Sequence, residues 1–336
     1  MGKNKMTIDD VANALGISKT TVSRALSGKG RISESTKDRV REYVEKNGYF
    51  PNGIAKCLAN KRTYNIAVTW SGDYEVQELP YFQNCLNGIM EIMSSENIDV
   101  VISMCVGKNI DNLKRIVSNK KVDGVILTRS LVDDAALKYL KSVNMPFVTI
   151  GTSEYDGVVQ IDNDHFKACR DLTKKLIEMG HKKIALLGGS SNHVITKTRY
   201  GGFVKAFHET HTLLDTSIIY LDVNTDKRIE NILNGLINSD VSCLICMDDA
   251  YAMRVIDICK KEHIRIPNDL KLASFYDSVL LSSSIPRITS LSFNDKNLGM
   301  ASARMLLSMI NGESVQSKMV ENYELNITES TSISKK

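Results

Sequence analysis

Residues 6–62 run MTIDDVANALGISKTTVSRALSGKGRISESTKDRVREYVEKNGYFPNGIAKCLANKR. Thr7 stands three positions before Asp10, the spacing at which a hydroxyl and a carboxylate satisfy the orphan amides of a helix start. Ile8, Val11, Ala12 and Leu15 then recur on one helical face. Gly16 supplies a tight turn, and Ser18 is a good N-cap for a second helix, Lys19 to about Leu26. Val22, Ala25 and Leu26 give that helix a buried side, so Lys19, Thr20, Ser23 and Arg24 face outward near its start. In a helix-turn-helix the second helix enters the major groove and its N-terminal residues meet base edges. Lys and Arg suit guanine acceptors, and a Thr methyl packs on thymine.

A third helix is expected from Ser33 to Asn47, with Ile32, Val40, Tyr43 and Val44 apolar and Gly48 as its stop. Pro51 enforces a break. Asn52 is then placed to cap a short segment, Gly53 to about Asn60, too short to be helical alone because nucleation is costly. The expectation is that it orders on DNA, with Leu58 as an apolar wedge in the minor groove. Charge follows the same division. Residues 1–62 hold 13 Lys and Arg against 6 Asp and Glu, whereas the remainder holds 30 against 33. A basic head on a mildly acidic body is the footprint of nucleic-acid binding.

The segments TIDDVANALGISKTTVSRAL and GYFPNGIAKCLANKRT closely resemble the lactose-repressor family of bacterial regulators, densely over residues 6–63 and more loosely to about residue 329. The resemblance implies a homodimer on a pseudo-palindromic operator in double-stranded DNA. It also implies a periplasmic-binding-protein-like effector domain and a small-molecule effector that changes DNA affinity. By position it implies that Lys19 and Thr20 are the main base readers and Arg24 a further major-groove residue. Ser18, Thr21, Ser27, Arg31, Ser33 and Asn52 fall where phosphates or flanking base pairs are met. Ala55, Lys56 and Leu58 fall at the minor-groove hinge positions. Phosphate contacts set register, and base contacts specify sequence.

After residue 63 the chain alternates short apolar strands with amphipathic helices. Strands are expected at Ile66–Trp70, Val100–Met104, Gly124–Leu127, Phe147–Ile150, Val158–Ile161, Ile184–Leu187, Ile218–Leu221, Cys243–Cys246, Leu270–Phe275 and Thr289–Phe293. Helices are expected at Leu86–Ser95, Ala168–Met179, Lys227–Ile237 and Ala250–Lys261, among others. This α/β pattern implies parallel sheets with right-handed crossovers, and some ten strands imply two doubly wound sheets. The expected organisation is a headpiece at 1–50, a hinge at 51–62, one subdomain from 63–161 plus about 294–320, and a second from 162–293 plus about 321–331.

Ligands in such folds sit at the carboxyl ends of strands, here in a cleft between two sheets. The polar residues following strands are therefore candidates: Trp70, Ser71 and Asp73; Asp162, Asn163 and Asp164; Ser190, Asn192 and His193; Asp248 and Asp249; Tyr276 and Asp277. Carboxylates, amides and an Arg against hydroxyls, with an aromatic face against a ring, is saccharide chemistry. As the only Trp, Trp70 serves equally as core packing. The family resemblance adds Arg199, in KTRYGGF, as the residue that grips the effector. It also adds Tyr81 and Phe82, whose LPYF sequence resembles the turn that starts the first effector-domain helix. Asp162 and Asp248 have a plainer alternative as helix caps or bridges between subdomains. Met247, Tyr276 and His193 depart from the family pattern, which usually carries a small polar residue, an Asp and, in purine-type members, an Arg at those places.

Other features limit the reading. No run of 18 apolar residues exists, so no transmembrane helix is expected. The start MGKNKMTIDD does not read as a signal peptide. Together these give a cytoplasmic, nucleoid-associated location with no membrane partner. The seven Cys read as reduced core thiols; even the C-x-x-C of Cys243 and Cys246 lies in an apolar strand. No metal or cofactor is expected: LGGS at 187–190 lacks the rest of a dinucleotide fingerprint, and no nucleophile elbow or triad order supports an enzyme. The polar tail TESTSISKK lacks heptads, which favours a dimer over a tetramer. The reading is a dimeric, sugar-responsive repressor of carbohydrate-utilisation genes. A catabolite-control-type regulator with a protein corepressor stays open, as does, more remotely, a solute-binding protein.

Overall fold

The computed structural model describes residues 6–28, 30–49, 57, 60–72, 79–320 and 322–332. It divides into two compact units, Met1–Thr63 and Tyr64–Lys336. The expectations for Asn52, Ala55, Lys56, Leu58 and Asp73, and for a hinge helix over 53–60, fall on positions outside the described residues or largely so.

The first unit holds α1 (Ile8–Leu15), α2 (Lys19–Ser27) and α3 (Glu34–Asn47). Thr7 and Asp10 form the reciprocal capping box: Asp10 Oδ2 accepts from the Thr7 N–H at 2.8 Å, and Thr7 Oγ1 accepts from the Asp10 N–H at 3.4 Å. Gly16 and Gly48 end α1 and α3 in the left-handed region, at φ 66° and 59°, where a Cβ would be strained. Val11, Ala12, Val22, Ala25 and Val40 form the core, joined by Tyr49. Arg39 donates from Nη2 to the Leu15 carbonyl at 3.1 Å, tying α3 to the end of α1.

The second unit contains two six-stranded sheets. The strands are β1 (Asn65–Ser71), β2 (Asp99–Cys105), β3 (Gly124–Leu127), β4 (Phe147–Ile150), β5 (Gln160–Asn163), β6 (Ile184–Leu187), β7 (Ile219–Tyr220), β8 (Cys243–Cys246), β9 (Leu272–Ser274), β10 (Thr289–Phe293), β11 (Lys318–Val320) and β12 (Tyr323–Asn326). Sheet one runs β11-β5-β4-β3-β1-β2 and sheet two β12-β10-β9-β8-β6-β7. Every pairing is parallel except β10 with β12. The chain passes between the sheets after β5, β10 and β11, so three strands of connection span the cleft. The helices are α4 (Leu79–Ser95), α5 (Asp111–Ser118), α6 (Ala135–Ser142), α7 (His165–Glu178), α8 (Val194–Glu209), α9 (Asp226–Ile237), α10 (Asp249–Lys261), α11 (Val279–Ser282) and α12 (Asp295–Ile310).

The central strands β3, β4, β6, β8 and β9 are buried on both faces, which is why they read as unbroken apolar runs. In sheet two, Cys243 packs on one face with Phe203 and Phe275, and Cys246 on the other with Val255 and Leu281. Residues i and i+3 of a strand point to opposite faces, so this C-x-x-C does not bring its sulfurs together.

Several sequence expectations need correction. The strand expected at Val158–Ile161 is Gln160–Asn163, because its register is set by Thr149 and Ile150 on one side and Lys318–Val320 on the other. Asp162 and Asn163 therefore lie within the strand, not after it. The first helix of this unit begins at Leu79 rather than Leu86, with Pro80 in its first turn, where no amide partner is lost. Leu270–Phe275 shortens to three residues and Ile218–Leu221 to two, while β11 and β12 were not anticipated.

Candidate functional site

On the headpiece, Lys19, Thr20, Ser23 and Arg24 are all exposed on α2. Ser18 holds the helix start, its hydroxyl accepting from the Thr21 N–H at 3.1 Å and lying 2.9 Å from the Thr21 hydroxyl. Lys19 pairs with Asp9 of α1. Ser33 caps α3 through the Thr36 N–H, and Ser27 and Arg31 are exposed. The sequence pattern and the structure thus agree on one polar, basic face around the start of α2, over an apolar core.

In the body, a cavity of about 130 Å³ opens at the carboxyl ends of the strands. A water needs only ~10–15 Å³ on this measure, so the space is ligand-sized. Of the expected effector residues, Tyr81, Phe82, Asp162, His193, Arg199, Asp248 and Tyr276 line it. Trp70 and Asp277 do not. Trp70 stands one layer back, its ring 5.8 Å from that of Phe82. Asp277 is taken up by the second sheet, its N–H donating to the Leu291 carbonyl at 2.7 Å.

Arg199 is the central cation. Buried on α8, it donates from Nη1 to the Met247 carbonyl at 2.7 Å, and its guanidinium carbon lies 5.9 Å from the centre of the Tyr276 ring. The Met247 side chain packs into the core with Phe275 and Leu291, so what this position offers the site is its carbonyl. Tyr276 is fixed from three sides: it stacks on Phe293 at 6.2 Å, meets Tyr81 edge-on at 6.1 Å, and donates its hydroxyl to Asp295 at 2.5 Å. The aromatic series continues from Phe293 to His165, 4.5 Å between ring centres. These rings give the cleft a stiff apolar wall.

Asp162 and Asp248 each fill a structural role and line the cavity. Asp162 accepts from the Thr152 N–H and hydroxyl at 2.8 and 2.9 Å and from the Asn163 N–H at 2.8 Å, pinning the turn after β4. Asp248 caps α10 through the Tyr251 N–H at 3.0 Å. Burial governs the ionisation of the whole group. It pushes Asp162 and Asp295 up to about 6, and Asp249 up to about 7 with the adjacent Asp248 carboxylate adding to the rise. It holds the His165 imidazole well below its usual value, and so neutral. The Arg199 charge works against the rise at Asp162, Asp248, Asp249 and Asp295.

Across the cavity mouth the loops of the two sheets are joined by backbone. The Val132 N–H donates to the Asn192 carbonyl at 3.0 Å and the Val194 N–H to the Ser130 carbonyl at 3.3 Å. Lys197 pairs with Glu154 at 3.0 Å beside them. The sequence reading missed the contributions of Thr128, Arg129 and Ser130 after β3 and of Gly151 and Thr152 after β4. Each of these follows directly on a strand end, as Asp248 does after β8, so position alone marks them in the sequence. His165 was missed for another reason: it is the first residue of α7 and gave no sign that its side chain reaches the cleft.

Residues 74–329 match the family model described as periplasmic binding proteins and sugar binding domain of the LacI family, and residues 7–52 match that of the bacterial regulatory proteins, lacI family. The chain belongs to the LacI family. This LacI-family protein is similar to the HTH-type transcriptional regulator MalR of Staphylococcus xylosus, 29% identical over 317 residues, covering 92% of this chain and 93% of that protein. Its fold matches the lac repressor dimer bound to operator and the anti-inducer ONPF, with TM-score 0.80, 22% identity and coverage of 98% and 99%. It also matches a transcriptional regulator CelR–cellobiose complex, with TM-score 0.69, 24% identity and coverage of 97% and 99%. The LacI-family chain is thus a ligand-responsive DNA-binding transcription regulator, and its family is one of regulators rather than enzymes. Among the described residues no helix is long and apolar enough to cross a membrane.

Proposed function

We propose that this LacI-family regulator is a homodimeric repressor of carbohydrate-utilisation genes, released from or fixed on a pseudo-palindromic operator by a sugar or sugar derivative, and acting in the cytoplasm. The observation that carries the sugar reading is the cleft itself. Arg199, Asp162, Asp248 and Asp249 converge on one space beside the Tyr81, Phe82 and Tyr276 rings, and polar groups against hydroxyls beside a ring-sized aromatic wall are what a saccharide needs. The likeness to a regulator solved with cellobiose supports the same class.

On the DNA side, Lys19, Thr20 and Arg24 read each half-site. Ser18, Thr21, Ser27, Arg31, Ser33 and Asn52 set the register, and Ala55, Lys56 and Leu58 occupy the minor groove. A dimer is supported by β2, an edge strand of sheet one. Its Ile102 and Met104, and Val106 just beyond, are about half exposed on one face, and apolar side chains in such a row mark an interaction surface. Effector coupling in the ordinary range of about 1–3 kcal/mol changes operator affinity some 5–150-fold.

The test begins with selection of the operator from random duplex DNA, followed by operator titrations with and without maltose, cellobiose, glucose and their phosphates. Saturable binding of one sugar, with a change of operator affinity in that range, is expected. A folded protein whose operator binding responds to none of them, but does respond to a partner protein, would replace the sugar with a protein corepressor.

A further inference from the structure

Three residues that line the effector cavity each carry a buried polar atom with no hydrogen-bond partner among the described residues: Ser130 Oγ, His165 Nδ1 and Arg199 Nε. All three residues are more than nine-tenths buried. Other unpartnered buried atoms, such as Ser103 Oγ and His181 Nδ1, belong to residues that do not border the cavity. A buried polar atom without a partner bears its full desolvation penalty. A ligand that fills the adjoining cavity and brings a matching group to the atom relieves that penalty.

We propose that Ser130 and His165 are specificity-determining contacts to the effector, and that the effector they fit is an uncharged polyhydroxyl compound rather than a phosphorylated one. The proposal rests on the sugar reading above and narrows it. His165 is held in place from both sides, its ring 4.5 Å from that of Phe293 and its Nε2 3.6 Å from Asp162 Oδ1. Burial keeps the imidazole neutral, so it carries one N–H and one lone pair. A serine hydroxyl likewise donates and accepts, whereas Arg199 only donates. A ligand hydroxyl, which both donates and accepts, meets the needs of each of the three.

Charge points the same way. Asp162, Asp248 and Asp249 line the cavity and Asp295 lies behind it against Tyr276. The lining cations are Arg199 and Arg129, and Arg199 already offsets all four carboxylates. Adding a phosphate would place a fifth anionic group in a space that already drives its own carboxyls toward the neutral form.

Trp70 is the sole Trp of the chain and sits against Phe82 of the lining, so its emission reports occupancy without a label. The intact protein is titrated with glucose, maltose and cellobiose and with the 6-phosphate of each. The expected result is that one neutral sugar binds and its phosphate binds at least tenfold more weakly. Ser130→Ala and His165→Gln each weaken that sugar about tenfold. His165→Asn, whose amide nitrogen overlays Nδ1, stays within threefold of the unaltered protein. Monodeoxy analogues of the sugar separate contact from misfolding: for one of them the unaltered protein and His165→Gln bind equally, and thermal unfolding shows each variant folded. A phosphate that binds more tightly than its parent sugar, or unchanged affinity in both Ser130→Ala and His165→Gln, overturns the proposal while leaving the sugar reading intact. If no sugar or phosphate binds, the sugar reading falls and this proposal falls with it.

Discussion

At Asp249 burial and charge conflict. Its carboxyl is 5% exposed, next to Asp248, and pushed up to about 7. In the unfolded chain it titrates near the usual 4. Between those values the folded protein holds a proton that the unfolded chain releases, so stability falls as pH rises from about 4 to about 7, and the penalty is complete above 7. Asp162 and Asp295, pushed up to about 6, act in the same direction over a narrower window. Asp249→Asn should therefore raise stability at pH 8 by about 1–3 kcal/mol, with the gain shrinking toward pH 5. Urea unfolding at the two pH values measures this, and an equal gain at both would mean that charge burial is not the cause. A second residue-scale prediction concerns Thr20, exposed at the start of α2. Loss of its methyl and hydroxyl in Thr20→Ala should relax discrimination at one base pair per half-site by about 1–3 kcal/mol. Selection from random DNA reads this directly, and an unchanged preferred site would remove Thr20 from base readout.

Among the elements, the crossing of α4 and α12 is the tightest contact between the two ends of the body. A Cβ at Gly299 would lie 2.0 Å from the Cys85 carbonyl oxygen, and one at Gly88 2.0 Å from that of Lys296. Backbone meets backbone there, so no side chain can move aside. Gly299→Ala should cost about 1–3 kcal/mol or more through overpacking, read as a lower urea midpoint with an unchanged slope. A variant as stable as the parent would show that the helices can separate freely. This crossing was not visible in the sequence, since a glycine inside a helical pattern reads as a weakness until the facing helix is known. The headpiece was legible because its signals are local: Thr7 with Asp10, Ser18, Ser33, Gly16 and Gly48 each act within one turn of chain. Strands buried on both faces were legible for the same reason, as apolar runs such as IALL and CLIC. What failed was set by distant partners. Asp162 looked like a loop residue because two of its hydrogen bonds come from Thr152, ten residues earlier, which only the fold brings to it. KMV and YELN are too short and polar to announce themselves, and become strands by extending existing sheets. The cavity lining was half legible likewise: Asp248, Tyr276 and Arg199 were expected at a cleft and do line one, whereas Ser130 and His165 are ordinary residues until the cavity surrounds them.

At the scale of the whole molecule, the proposed regulation has a small ligand in the body alter the hold of two headpieces on DNA, which would make association between copies part of the mechanism. Two headpieces each meet one half-site, so a pseudo-palindromic operator is matched by a two-fold protein. The edge strand β2 offers a surface for such a pairing, with Ile102 and Met104 about half exposed while the alternate residues Val101, Ser103 and Cys105 turn toward the sheet's other face. Replacing exposed apolar residues leaves the interior of the sheet intact, so Ile102→Asp with Met104→Asp should fold as the parent does. Two copies would then bring four like charges together across a two-fold interface, a juxtaposition that costs several kcal/mol. The expected outcome is a monomer in sedimentation equilibrium at micromolar concentration, with a parental unfolding midpoint for the body. Operator affinity should fall at least a hundredfold, toward that of a single half-site, because the second headpiece no longer binds at high effective concentration. Sugar binding followed through Trp70 should survive, since the cavity lies within one copy. A double variant that stays dimeric would place the interface elsewhere on the body. One that becomes monomeric yet holds its operator as tightly would break the link between pairing and DNA recognition on which the proposed repression depends.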